Sequence, residues 1–308
     1  MSEHIIKRAN GKLLLTGEYA VLDGAIALGL PTKYGQTIAV IKEDTPQDKL
    51  KWESLDMYHD IWFEGTFNTQ TFNFSESDNN DTAEVITRIL NYVAQQNPDS
   101  LSYISKIRIK LDYPVKWGLG SSASVISCIA QVFGVDPYQI QKDIFGGSGY
   151  DIACATSNKP ILYTNNIEAE KKVTPSSFRP AKPELWHFVY LGHKKNSREA
   201  IKYYKDIVQD KSQFVSIINQ LSLDISTSKS HSEQVAILNK HEDVVSEFLN
   251  LPKAKTQHFE DFNGVIKSLG AWGGDFVAAV SIDKNIDLDY FYQKGYPTVI
   301  PYTSIIMN

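Results

Sequence analysis

β-branched and aromatic residues dominate a series of short runs in the first third of the chain, "KLLLT", "AIALGL", "QTIAVIKE", "KLKWESL", "DIWFEGTF" and "QTFNFS", and predict a strand-rich region. The polar knot "SESDNND" closes it. "DTAEVITRILNYVAQQ" follows, with Val85, Ile86, Ile89, Leu90 and Val93 on one face and Asp81 and Glu84 spaced as a capping box, which predicts a helix. "ISKIRIKLDY" alternates through Ile107, Ile109 and Leu111 as a strand, and it feeds "GLGSSASVISCIAQVFG", where Val125, Ile126, Ile129, Val132 and Phe133 are helically spaced. A strand therefore runs into a glycine-rich turn that opens a helix. Asp136 as cap and Pro137 at the first helical position predict a short helix ending at Gly146 and Gly147.

The texture changes near residue 166, where the charged, proline-bearing "EAEKKVTPSSFRPAKPE" reads as a crossing between domains, one over 1–166 and one over 167–308. The second part repeats the mixture: a strand "LWHFVYLG", helical runs within 197–222, 231–250 and 254–269, a strand "FVAAVSI", a short helix near 287–293 and a strand "PTVIPYTSI". No internal repeat of 20 to 50 residues interrupts this order.

Composition narrows the functional classes. With 308 residues, 42% of them hydrophobic, the chain can bury a substantial core. Its 31 Lys+Arg against 36 Asp+Glu leave a formal charge of -5, no field for a nucleic acid, so an anionic ligand must be held by local groups. Cys128 and Cys154 sit in apolar or small-residue surroundings, as reduced thiols in a cytoplasmic protein do. The opening "MSEHIIKRANGKLLLTGEY" has the length of apolar run of neither a signal peptide nor a membrane anchor, so no membrane association is expected.

Five stretches can carry chemistry. In "GLGSSAS", Gly118 to Ser124, glycines allow close approach of backbone to a ligand and a helix N-terminus presents unpaired N–H groups, which suits phosphate; a tight turn with serine caps fits equally. A Walker A loop is excluded because no lysine follows these glycines; the string fits the loose G-x-G-x-x-A dinucleotide variant, but a turn after more than 100 residues of antiparallel-looking sheet argues against that fold. Asp151, in "GGSGYDIACA", reads either as the cap of a helix "IACATS" or as a carboxylate that takes a proton or holds a metal ion. Lys12, heading an apolar strand with Glu18 behind it, either snorkels or neutralises a phosphoryl group. Gly270, Gly273 and Gly274 in "KSLGAWGGDF" read as lying between a helix and a strand; a C-cap explains one of them, a second backbone approach to ligand explains three. Trp272 there is a loop plug or a base-stacking platform. "GHKKNSREAI" is a solvated basic turn or a seat for an anionic substrate, with Ser197 as helix cap. No H-E-x-x-H, C-x-x-C or G-x-S-x-G occurs, so zinc and serine-hydrolase chemistry lack support.

Together "ANGKLLLTGEYAVLDG", "GLGSSAS", "GGSGYDIACA" and "GAWGGD", in that order, resemble the GHMP kinase family. "GEYAVLDG", "GSGYDIA" and the Asp275 after the last glycines look most like phosphomevalonate kinases, and "GYDIA" like a subfamily named for those residues. The resemblance implies an α+β, two-domain fold: an N-terminal domain with a left-handed βαβ unit and a ferredoxin-like C-terminal domain. It implies ATP and Mg²⁺ as cofactors and a small-molecule phosphoryl acceptor as partner, in a monomer or homodimer. By carry-over, Gly118, Leu119, Gly120, Ser121, Ser122 and Ala123 would cradle phosphates, with Ser122 on Mg²⁺. Asp151 and Lys12 would be catalytic, and Lys195, Ser197, Gly270, Gly273, Gly274 and Asp275 would face the acceptor. Three positions depart from the pattern: Asn10 replaces a proline, Trp272 interrupts the third, glycine-rich motif, and Ile140 stands where mevalonate kinases place a Mg²⁺-binding glutamate. The expected activity is phosphorylation of 5-phosphomevalonate; the alternatives are mevalonate kinase or another GHMP small-molecule kinase, a non-catalytic nucleotide or metabolite sensor, and a decarboxylase of the same superfamily.

Overall fold

Fewer and longer strands than the pattern predicts begin the chain. The computed structural model describes residues 3–165, 171–192, 197–207, 210–284 and 287–307. β1 spans Glu3–Thr16, so Lys12 lies inside a strand and not at its head, and β2 spans Ile26–Lys42, joining two predicted strands through "PTKYG". Proline and glycine made that link look like a turn. Proline's fixed φ and its bias on the preceding residue are equally compatible with extended backbone, and both halves of β2 find partners.

The chain divides into two compact units. The first comprises Met1–Gly11, Tyr34–Val115 and Gly120–Thr156. In it, β3 (Lys49–Leu55), β4 (Ile61–Asn68) and β5 (Phe74–Ser77) form antiparallel neighbours, followed by helix α1 (Asn80–Gln96) and β6 (Ile104–Leu111). β6 lies between β3 and the second half of β2, parallel to the former and antiparallel to the latter. The connection through α1 makes β3 and β6 a βαβ pair. Helices α2 (Ser121–Phe133), α3 (Pro137–Ile140) and α4 (Tyr150–Ala155) complete the unit. Its core joins Ile38, Trp52, Phe63 and Ile107 of the sheet to Ile86 and Leu90 of α1 and Ile126 and Ile129 of α2. The cap of α1 is Asn79, whose side chain accepts from the Thr82 N–H at 2.9 Å; Asp81 and Glu84 fall within the helix, so the expected capping box does not form.

The second unit comprises Lys12–Lys33, Lys116–Leu119 and Ser157–Asn308. There the first half of β2 pairs with β7 (Ile161–Thr164), and β7 with β8 (Lys172–Pro175), so part of the charged crossing is strand. Then come β9 (Trp186–Tyr190), α5 (Ser197–Asp206), α6 (Ser212–Thr227), α7 (His231–Leu249), α8 (Ala254–His258), β10 (Gly264–Ser268), β11 (Phe276–Ser281), α9 (Leu288–Gln293), β12 (Val299–Pro301) and α10 (Tyr302–Ile305). The sheet order β10-β11-β9-β12, with every pairing antiparallel, is the ferredoxin-like arrangement. The fold is thus α+β, with one larger and one smaller sheet, as expected.

One predicted helix fails. Of 254–269, only Ala254–His258 is helical, and "GVIKS" is β10, buried at all five positions. A short apolar run carries no period that separates helix from strand. Gly264 settles it, because its absent Cβ would lie 2.1 Å from the Val280 carbonyl across the ladder.

Candidate functional site

In the first unit the phosphate-shaped turn ends on Gly120, held at φ 83, ψ 40, the left-handed region that glycine enters without strain. It opens the 13-residue α2, and no side chain caps that end. The first-turn N–H groups of a helix have no intrahelical acceptor, so this end offers donors and a partial positive charge to an anion. The serine-cap reading of the turn does not hold. Ser121 is half-buried, its carbonyl accepting from Gln36 Nε2 at 2.9 Å; Ser122 is exposed; Ala123 is buried. The Ser124 hydroxyl folds back to donate to the Ser121 carbonyl at 3.1 Å.

α4 packs against α2. Asp151 is the second residue of α4, half-buried, with its Oδ1 shut off from solvent. The cap position belongs to Gly149, at φ 88, and the Tyr150 N–H donates to the Ser148 hydroxyl at 3.4 Å. Asp151 is therefore no helix cap, and the plainer of its two readings is removed. Gly146, Gly147 and Gly149 all adopt positive φ, which is why the segment before the aspartate needs glycine so often. Ile140 is fully buried in the core of this unit, where a carboxylate could not stand unpaired. Cys128 and Cys154 are free and buried, and burial pushes the Cys128 thiol up to about 12.

The second unit gathers the remaining residues. The Lys12 N–H donates to the Leu119 carbonyl at 2.9 Å, and the Lys12 side chain is half-buried. Gly118, at φ 47, lies against Asp275: a Cβ on it would fall 2.0 Å from Asp275 Oδ2. The Asp275 carbonyl accepts from the Leu191 N–H at 2.8 Å. Gly270 (φ 63) and Gly273 (φ 73) need left-handed backbone, and with Gly274 they connect β10 to β11, two strands, so the C-cap explanation falls with the predicted helix. Trp272 is buried and its indole N–H donates to the Pro252 carbonyl at 3.0 Å; it is a plug, not an exposed stacking platform. Lys195 lies outside the described residues, and Ser197 begins α5 with its side chain outside them.

Sequence reasoning missed a buried ionic cluster in this unit. Glu18 Oε1 accepts from Lys267 Nζ at 2.5 Å, and Glu242 Oε1 lies 3.2 Å from the same nitrogen. His241 Nε2 accepts from the Gly17 N–H at 3.2 Å and lies 3.3 Å from Glu18 Oε2. Glu18, His241 and Lys267 have no exposed surface, and Glu242 almost none. Burial raises Glu18 to about 7 against the opposing pull of Lys267, and it also raises Glu242. Burial and the Lys267 charge hold His241 well below its usual range. Only Glu18 stood out in the sequence; Lys267 sits in an apolar run, and His241 and Glu242 in an amphipathic helix.

No protein-family model and no curated protein matches the sequence. Solved structures do. Mevalonate kinase of Methanococcus jannaschii is 19% identical with a TM-score of 0.71, covering 99% of each chain. Streptococcus pneumoniae phosphomevalonate kinase, in complex with phosphomevalonate and AMPPNP, is 16% identical with a TM-score of 0.62 over 91% of this chain and 93% of that one. Lactococcus lactis galactokinase, complexed with galactose, is 13% identical with a TM-score of 0.63 over 99% and 95%. This chain shares their fold over nearly its whole length.

Proposed function

We propose that this chain is an ATP-dependent small-molecule kinase of the GHMP family, with 5-phosphomevalonate as its acceptor. The observation that carries the reading is the start of α2, where left-handed Gly120 opens a long helix that no side chain caps, within the string "GLGSSAS". Such an end suits nucleotide phosphates. The likeness in fold to solved kinases whose ligands include AMPPNP and phosphomevalonate supports it. The acceptor rests on "GEYAVLDG", "GSGYDIA" and Asp275, the motifs closest to phosphomevalonate kinases and to the GYDIA subfamily.

Gly118, Leu119, Gly120, Ser121, Ser122 and Ala123 would hold the ATP phosphates, the ATP-binding domain being taken as 1–166 and the ferredoxin-like domain as 167–308. Mg²⁺ takes oxygen ligands and usually keeps only one or two from protein, so the exposed Ser122 hydroxyl suits it; bound there it would neutralise phosphate charge. Phosphoryl transfer asks the protein mainly for positioning and charge neutralisation. Asp151 would orient the acceptor hydroxyl and take its proton, and Lys12 would stabilise the transferring group. Lys195, Ser197, Gly270, Gly273, Gly274 and Asp275 would face the acceptor. The protein would act in the cytoplasm as a monomer or homodimer.

The test is ADP release from Mg·ATP with mevalonate, phosphomevalonate, homoserine or galactose. Turnover on phosphomevalonate, lost by about a hundredfold or more in Asp151→Asn, is the expected result. Turnover on mevalonate alone would move the acceptor one step earlier. CO₂ release would indicate a decarboxylase, and binding without turnover on any acceptor a sensor.

A further inference from the structure

The contact between Glu18 and His241 is chemically incomplete as two bare acceptors. His241 Nε2 already receives the Gly17 N–H, so its lone pair points out of the ring toward that segment. Glu18 Oε2 stands 3.3 Å from the same nitrogen, and neither residue has any exposed surface. Two lone pairs at that distance in a dry interior repel unless a proton lies between them. Charge counting gives the same answer. Lys267 is one cation facing two carboxyl groups, Glu18 and Glu242, all of them buried from bulk solvent.

We infer that Glu18, His241, Glu242 and Lys267 form a one-proton site, the proton being held on Glu18 Oε2 and sharing the single lone pair of His241 Nε2 with the Gly17 N–H, and that its loss loosens the glycine-rich segment 270–275. Among the described residues the ionisable groups facing Glu18 are Lys267 of β10, Glu242 and His241 of α7, and Tyr19 beside it. Burial puts Glu18 near 7, so the site would empty close to neutrality.

The link to the segment runs through Lys267, the residue before the last of β10. Its ammonium donates to Glu18 and to the Ser268 carbonyl and sits 5.9 Å from the centre of the Trp272 ring. Glu242 holds the same corner, accepting from the Ser268 N–H at 2.8 Å and the Ser268 hydroxyl at 3.2 Å. From the other side, the Tyr19 hydroxyl faces the backbone of Trp272. Residue 17 cannot yield, because a Cβ there would lie 2.7 Å from Ala27 Cα and the strand exit is packed to contact. When Glu18 ionises, the charge left on Oε2 competes with the Ser268 carbonyl for the Lys267 ammonium, which already donates to Oε1. The segment that ends in Asp275, against Gly118, is then held by fewer bonds.

The inference does not rest on the kinase reading, and its test needs no substrate. Infrared difference spectra of ¹³C-glutamate-labelled protein, between about pH 5.5 and about pH 8.5, should show one protonated carboxyl band that disappears on the alkaline side and is absent in Glu18→Gln. The nitrogen shifts of His241 should report a neutral ring protonated at Nδ1 across that range. Hydrogen exchange at residues 270–274 should quicken by about tenfold through the transition in the wild type and stay flat in Glu18→Gln. No protonated band in the wild type, or a His241 proton on Nε2, would overturn the site. A band that titrates without any change in exchange would overturn its hold on the segment.

Discussion

Asp275 Oδ2 occupies the space where a side chain at position 118 would begin, 2.0 Å from the missing Cβ of Gly118. Two demands meet at that glycine, a φ of 47 and a carboxylate in van der Waals contact. Gly118→Ala should destabilise the protein by about 2–4 kcal/mol, roughly 1 from the left-handed backbone and the rest from the clash. Gly134, at φ 67 with nothing within 4 Å of its Cβ position, isolates the first part: Gly134→Ala should cost only about 1 kcal/mol. In urea unfolding, Gly118→Ala combined with Asp275→Ala should recover the steric share. Equal costs at the two glycines would show that the carboxylate gives way freely.

Lys267 is the sole cation among the four side chains of the buried cluster, so removing it strands the Glu242 carboxylate and takes the donor from Glu18 Oε1. Lys267→Met should destabilise by about 3–5 kcal/mol, and adding Glu18→Gln and Glu242→Gln should restore a large part of it, since an uncharged filling costs less than half an ion pair. Chemical denaturation of the single and triple variants measures both. A triple variant no more stable than the single one would mean that Lys267 contributes through packing of its stem.

Much of the fold was legible because its signals are local. α2 follows helical spacing, α3 follows Asp136 and Pro137, with the Asp136 carboxylate accepting from the Tyr138 N–H at 2.8 Å, and β11 and β9 follow apolar runs. β10 was not, because five buried residues are too few to show a period and its identity comes from pairing with β11. In the candidate site, the glycines of the turn were readable since backbone of positive φ restricts residue type. The partnership of Gly118 with Asp275 spans 157 positions and leaves no local trace. The same holds for Glu18 and Lys267, 249 positions apart. Asp151 shows the reverse: spacing favoured a cap, and only the left-handed Gly149 in the cap position removes that role.

The start of α1 offers a clean test of capping. Asn79 accepts from the Thr82 N–H at 2.9 Å, whereas Asp81 and Glu84 lie one and four residues inside the helix. Asn79→Ala should lower stability by about 1 kcal/mol, and Asp81→Asn and Glu84→Gln should each stay within about 0.5 kcal/mol of the parent. Thermal unfolding resolves the difference. A larger loss at Glu84 than at Asn79 would restore the capping box.

Glu53 gives the acid limb of stability its sharpest residue. It is buried on β3 and burial alone would raise it, yet Lys106 at 2.6 Å, Arg108 at 2.6 and 2.8 Å and Lys51 at 3.2 Å pull it down to about 2. A carboxyl whose folded value lies below its unfolded 4.5 contributes stability fully above 4.5 and loses it as pH falls toward 2. Glu53→Gln should therefore cost on the order of 2 kcal/mol near neutrality, and the gap between parent and variant should close through that acid window. Lys51 and Arg108 are about half exposed, so part of the gap should also shrink in high salt. Urea titrations of both proteins at stepped pH measure the gap directly. A gap that stayed constant down to about pH 2 would assign the loss to packing of the glutamate stem and not to its charge.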